Sequence, residues 1–178
     1  AQAGGTVGAV LAAANSTRMS VHLGLAFESN QDDPLRNAST VKHFASVQWE
    51  LAQHLYRLAS SIGLSSTLAG FYTETEESNS DAWLRGMELF TAHYLQPLAR
   101  DIHAQLHPDL VVFASPYAVA NRTRYGTHEW IVPSLYAGLW EQTLTAWAPD
   151  LDTVALQDST GALGNSFADV RALLGNLS

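Results

Sequence analysis

Two spacings of hydrophobic residues alternate along the chain. Short runs rich in Val, Leu and Phe occur at Ser20–Phe27, Leu68–Tyr72, Leu110–Ser115 and Asp152–Gln157, and apolar runs of this length predict strands. Each is preceded by a longer stretch of helical spacing. Phe44, Gln48, Leu51, Leu55, Leu58 and Ile62 recur at three- and four-residue steps, with Thr40 as the expected N-cap and Gly63 as the stop. Leu84, Met87, Phe90, Tyr94, Leu98, Ile102 and Leu106 form a second stripe. Pro97 interrupts it, which predicts a kink or a two-part helix. A third helix is expected from about His128 to Trp147, closed by Pro149, and flanking helices at Val7–Asn15 and Phe167–Leu174.

Strands separated by helices predict an α/β fold with a parallel sheet, either a (β/α) barrel or a doubly wound sheet. No GxGxxG or GxxxxGK[ST] motif follows any strand, against a nucleotide-binding version. Within each strand one parity is apolar and the other small or polar. Val21, Leu23, Leu25 and Phe27 oppose His22, Gly24, Ala26 and Glu28, and Ala69 and Phe71 oppose Gly70, Tyr72 and Glu74. Val112 and Ala114 oppose Ser115 and Tyr117, and Val154 and Leu156 oppose Ala155 and Gln157. A barrel predicts this pattern, with one face on the helices and the other lining the interior. Four strands are too few to close a barrel of about 250 residues. The expectation is a single (β/α)8 TIM-barrel-type domain over 1–178, a partial barrel incomplete at both ends, with its open edges covered by a partner chain or by self-association.

Composition narrows the function classes. The 178 residues are 47% hydrophobic and 15% charged, with no low-complexity tract and no apolar run long enough for a membrane span. The formal net charge of −8 repels phosphate backbones, so nucleic acid is not the expected partner. The absence of cysteine removes disulfides, thiolate zinc sites and cysteine nucleophiles. Four Asn-x-Ser/Thr sequons, at Asn15, Asn37, Asn121 and Asn176, would accept glycans on surface loops of a secreted protein, and the expected location is therefore secreted or extracellular.

The polar members of the strands gather where the strands end. Glu28, Tyr72, Glu74, Glu76, Tyr117, Gln157 and Asp158 would share the C-terminal rim, where barrel enzymes place their active sites. Glu74, Glu76 and Glu77 follow one strand closely, and like charges at short range raise one another's pKa. One protonated and one ionised carboxyl is the pairing that glycosidic cleavage needs. Tyr72, Trp83, Tyr117, Tyr125 and Trp130 lie on or just after the rim and offer faces for sugar rings. Glu77 and Asp81 also fit a helix N-terminus, where the dipole favours anions. Asp158 reads equally as a second catalytic carboxylate or as an Asx-turn opening the loop after it. His103 and His107 are four apart on an expected helix but lack the glutamate of HExxH, and no metal or other cofactor is expected. Ser115 and Ser159 lack the Gly-x-Ser-x-Gly elbow of serine hydrolases. Trp49, Trp140 and Trp147 fall on expected helices, as packing residues.

Four segments together resemble a glycoside-hydrolase-like TIM-barrel family known as a domain of unknown function. They are Gly70-Phe71-Tyr72 with Glu76, Tyr94-Leu95-Gln96-Pro97-Leu98-Ala99, Ala114-Ser115-Pro116-Tyr117, and Val154-Ala155-Leu156-Gln157-Asp158. Phe71 stands where the family usually has Trp, and Glu74 where Pro is common. The resemblance implies a (β/α)8 barrel that acts on or binds polysaccharide, with Glu76 as acid/base and Asp158 in the site. On that reading Glu76 protonates the leaving oxygen, Asp158 or Glu74 is base or nucleophile, and Glu28, Tyr72, Trp83, Tyr117, Asn121 and Gln157 hold the sugar. The alternative is a non-catalytic structural or carbohydrate-binding barrel subunit that assembles with a partner chain.

Overall fold

A computed structural model describes residues 5–25, 37–73, 87–115, 133–155 and 171. Helices and strands alternate: α1 (Gly5–Ser16), β1 (Val21–Gly24), α2 (Ala38–Ser61), β2 (Leu68–Thr73), α3 (87–106), β3 (Val111–Ala114), α4 (Pro133–Trp147) and β4 (Thr153–Val154). The four strands form one parallel sheet in the order β1-β2-β3-β4. A doubly wound sheet reverses its strand order at a switch point, and none of the described strands does so.

Each helix has a local cause. Asn37, not Thr40, caps α2: its Oδ1 accepts from the Ser39 N–H at 2.8 Å, while Thr40 already lies inside the helix. Gly63 ends α2 as expected, in the left-handed region at φ 72°. The Leu64 N–H returns to the Ala59 carbonyl at 2.8 Å and the Gly63 N–H to Ser60 at 3.1 Å, a Schellman closure. The end of α1 makes the same two bonds, Met19 to Ala14 and Arg18 to Asn15, with Arg18 in the left-handed position at φ 57°. In α3 the interruption expected at Pro97 is a change of helical register. A π-helical segment, Thr91–Leu95, precedes the α-helical Gln96–Asp101, and a second, Ile102–Leu106, follows it. Pro97 has no N–H for the α-ladder, and a wider turn directly before it absorbs the gap.

The apolar face of the sheet and the helices make one core. Phe71, Val112, Ala114 and Leu25 are buried together with Leu11 of α1, Ala52 and Ala59 of α2, Phe90, Tyr94, Leu98 and Ile102 of α3, and Trp140 and Trp147 of α4. The centre of the α2 face runs through Val41, Gln48, Ala52, Leu55 and Ala59, and the two alanines admit close approach of the neighbouring elements. Trp140 and Trp147 pack edge-to-face at 5.5 Å, and the Trp147 indole N–H donates to Thr91 Oγ1 at 2.8 Å, so both tryptophans do packing work as expected.

The alternation in β2 departs from the simple reading. Val21 pairs with Leu68 and His22 with Gly70, so Ala69 is an extra residue on β2. The bulge puts Leu68, rather than Ala69, in line with the apolar face that continues through Phe71. Beside it, a Cβ on Gly70 would stand 1.9 Å from the Val111 carbonyl oxygen, so only glycine lets β3 approach.

Candidate functional site

Because the strands are parallel, β1 to β4 all end at the same edge of the sheet. Hydrogen bonds pin those ends in succession. The Leu25 N–H donates to the Tyr72 carbonyl at 2.9 Å, and Thr73 Oγ1 to the Phe113 carbonyl at 3.3 Å. Ser115 Oγ donates to the Ala155 carbonyl at 2.7 Å, and the Ala155 N–H to the Ala114 carbonyl at 2.9 Å. Thr73 and Ser115 are buried, although each is the last described residue before a polar stretch of sequence. A hydroxyl at such a position satisfies the neighbouring strand's carbonyl and fixes where the next residue starts.

The second face of the sheet carries rings. Tyr72 stacks on Phe113 at 5.0 Å with 21° between the planes, and His22 meets Phe113 edge-on at 5.2 Å. Tyr72 and Phe113 are directly paired neighbours, and both are half-buried. The face is therefore aromatic and apolar as well as small and polar. Phe113 shares the parity of Ser115, but its place on this face is not among the expectations, because an apolar ring in an apolar run reads as core.

Of the residues with a predicted binding or catalytic role, Tyr72 is described and lies on this face. Glu28, Glu74, Glu76, Trp83, Tyr117, Asn121, Gln157 and Asp158 lie outside the described residues, as does the sequon at Asn176. Asn15 and Asn37 are exposed, but Asn15 sits in the last turn of α1 rather than in a loop, and its Oδ1 accepts from Thr67 Oγ1 at 3.3 Å. Asn37 is occupied as the α2 cap.

The opposite end of the sheet, where the strands begin, is bound by side chains. Arg100 makes a two-pronged ion pair with Asp150, both bonds 2.7 Å. The Asp150 hydrogen bond, with its charge, raises the Arg100 pKa above its ordinary value, so the guanidinium stays charged at any working pH. Asp152 Oδ2 accepts from the Val112 N–H at 2.7 Å and lies 3.0 Å from His103 Nε2. His103 Nε2 is also 3.0 Å from the Leu110 carbonyl; both neighbours are acceptors, so this nitrogen carries the proton. His103 is thus a structural tie between α3 and the turns that lead into β3 and β4. His107 has left the helix for extended backbone at φ −160°, so the two histidines do not share a helical face. Among the described residues no cluster of three His, Asp or Glu groups is placed to hold a metal ion. A groove of about 300 Å³ lies between α2 and α3, lined by Lys42, Trp49, His93, Pro97 and Asp101 among others. No described helix is long and apolar enough to cross a membrane.

The fold and the site together define an α/β protein whose described strands form one parallel, sequentially ordered sheet. The model of the family Domain of unknown function (DUF4434) matches residues 2–177, and the chain belongs to that family. No curated protein and no solved structure matches the chain.

Proposed function

We propose that this chain is a (β/α)8-barrel-type, glycoside-hydrolase-like protein acting on polysaccharide, with its chemistry at the C-terminal ends of the strands. The observation that carries the reading is the parallel, sequential order of β1 to β4, which brings all four C-terminal ends to one edge. Sequential order without reversal is the strand order of a (β/α) barrel, and in such barrels the segments after the strands build the site. Here those segments, 26–36, 74–86, 116–132 and 156–170, contain ten of the chain's 17 Asp and Glu but four of its nine Lys and Arg. The turns that lead into the strands are far shorter.

The spacing suits the chemistry. β2, which leads to Glu74 and Glu76, and β4, which leads to Asp158, are separated by β3, so their ends lie roughly 10 Å apart, two strand spacings. Retention uses carboxyl separations of about 5–5.5 Å and inversion about 6.5–9.5 Å. In this reading Glu76 is held neutral by the neighbouring carboxylates and protonates the departing glycosidic oxygen. Asp158 or Glu74 activates water or attacks the anomeric carbon. Tyr72 and Phe113 supply the aromatic floor beneath the sugar, and Glu28, Trp83, Tyr117, Asn121 and Gln157 hold its hydroxyls and faces. Secretion with glycans on the sequons accords with an extracellular polysaccharide as substrate. The test is reducing-end release from a panel of plant, fungal and bacterial polysaccharides by the wild-type chain and by Glu76→Gln. Release by the wild type that is lost in the variant, with unchanged melting temperature, supports the reading. Undiminished release by Glu76→Gln removes it.

A further inference from the structure

We infer that the groove between α2 and α3 is a saccharide-binding site of its own, in which a sugar ring lies against Trp49 and its hydroxyls meet Lys42 and Asp101. The inference takes its ligand class from the proposed function, but it is read on binding and not on hydrolysis.

The groove belongs to a packed part of the molecule. Phe44 of α2 meets Tyr94 of α3 with ring centroids 5.0 Å apart, which ties the two helices together. Beside that contact Ala45, Ala92 and Pro97 present little side-chain volume, and a space of about 300 Å³ stays open against the buried Leu98. Its walls are regular. Lys42, Ala45 and Trp49 follow at three- and four-residue steps on α2, and His93, Pro97 and Asp101 at four-residue steps on α3. Ala92 and His93 lie in the π-helical segment Thr91–Leu95, a geometry found frequently at functional sites.

The lining selects the occupant. Trp140 and Trp147 are closed into the core, whereas Trp49 packs against the core and still borders open space. A ring in that position offers an apolar face to a flat, partly apolar ligand. Lys42 is exposed and supplies donors. Asp101 supplies acceptors, and its carboxylate is held by the Gln105 amide, which donates to Oδ1 at 2.8 Å. A pyranose matches both kinds of group: carbon-bound hydrogens on its face for the indole, and hydroxyls around its rim for the charged side chains. A purely apolar occupant would bury Lys42 and Asp101 without hydrogen bonds. A phosphate-type anion would meet the Asp101 carboxylate and the chain's net charge of −8. The volume stands at the lower bound of small-ligand pockets, about 300–1,000 Å³, and is too small for a helix of a partner protein. The groove lies on the helix-covered side of the sheet and the Tyr72–Phe113 rings on the other, so sugar in the groove and sugar on the rings are separate binding events.

The chain has five tryptophans, so labelling the full chain with fluorotryptophan gives five fluorine resonances, and Trp49→Phe assigns one of them to residue 49. Titration with cellohexaose, xylohexaose, chitohexaose and maltohexaose in turn is expected to move that resonance saturably with at least one of them. Calorimetry with that sugar is expected to show binding weakened roughly tenfold by Trp49→Ala. Ala92→Phe fills the groove from an exposed position while keeping the Trp49 packing, and it is expected to weaken binding as well at unchanged circular dichroism. A Trp49 resonance that none of these sugars moves overturns the inference, as does undiminished binding by the Ala92→Phe chain. Hydrolysis enters neither readout, so failure here leaves the Glu76→Gln test standing, and failure there leaves this one.

Discussion

The two ends of this sheet are built by opposite rules. Where the strands begin, short turns enter them and named side chains close every junction: Asn15 with Thr67, Arg100 with Asp150, and Asp152 with both His103 and the Val112 backbone. Where the strands end, Thr73 and Ser115 donate to carbonyls of the neighbouring strands, and the segments that follow in sequence are long and rich in acidic residues. The first end spends its polar residues on backbone and on oppositely charged partners. The segments after the second hold ten of the chain's 17 Asp and Glu against four of its nine Lys and Arg. Under the proposed function, that contrast separates residues kept for stability from residues available for chemistry.

Substitutions at the two ends should therefore fail in different assays. The largest expected effect is on turnover: Glu76→Gln lowers glycan hydrolysis about 10²- to 10⁴-fold, the usual contribution of a general acid, with no change in thermal unfolding. Trp147→Ala does the reverse. Trp147 is 1% exposed and donates to Thr91, so its loss costs about 3–5 kcal/mol in denaturant unfolding while residual catalysis per folded molecule is retained. Gly70→Ala forces a methyl group onto the Val111 carbonyl and costs about 3 kcal/mol by the same measurement, with β2 and β3 moved apart. Asp152→Ala strands the Val112 N–H and releases His103; about 2 kcal/mol is expected, read as earlier amide exchange at Val112. Gly63→Ala, at φ 72°, is the mildest, at about 1 kcal/mol in the same unfolding experiment.

Much of this architecture is legible in the sequence because hydrophobic period reports burial. The α3 stripe through Met87, Phe90, Tyr94, Leu98 and Ile102 is buried as its spacing requires. The same holds for the apolar face through Leu25, Phe71, Val112 and Ala114. What periodicity misses is local and stereochemical. Asn37 takes the cap because its carboxamide oxygen reaches the Ser39 N–H, and Thr40, three residues later, already lies inside the helix. The bulge at Ala69 shifts one residue, and pattern alone cannot see an unpaired insertion. Pro97 announces an interruption but not that π turns absorb it. His103 looks like a surface residue because its partner Asp152 lies 49 positions away. At the site the strand ends and Tyr72 follow from pattern and parity, while Thr73 and Ser115 as pins follow only from coordinates.

The division between the two ends is tested most directly by carbodiimide footprinting of carboxyl groups, with and without a mixed pool of plant, fungal and bacterial oligosaccharides. The account predicts that sugar protects Glu76 and Asp158 and leaves Asp109 and Asp152, where the strands begin, labelled as before. Protection centred on Asp109 and Asp152, with Glu76 and Asp158 unchanged, would contradict it.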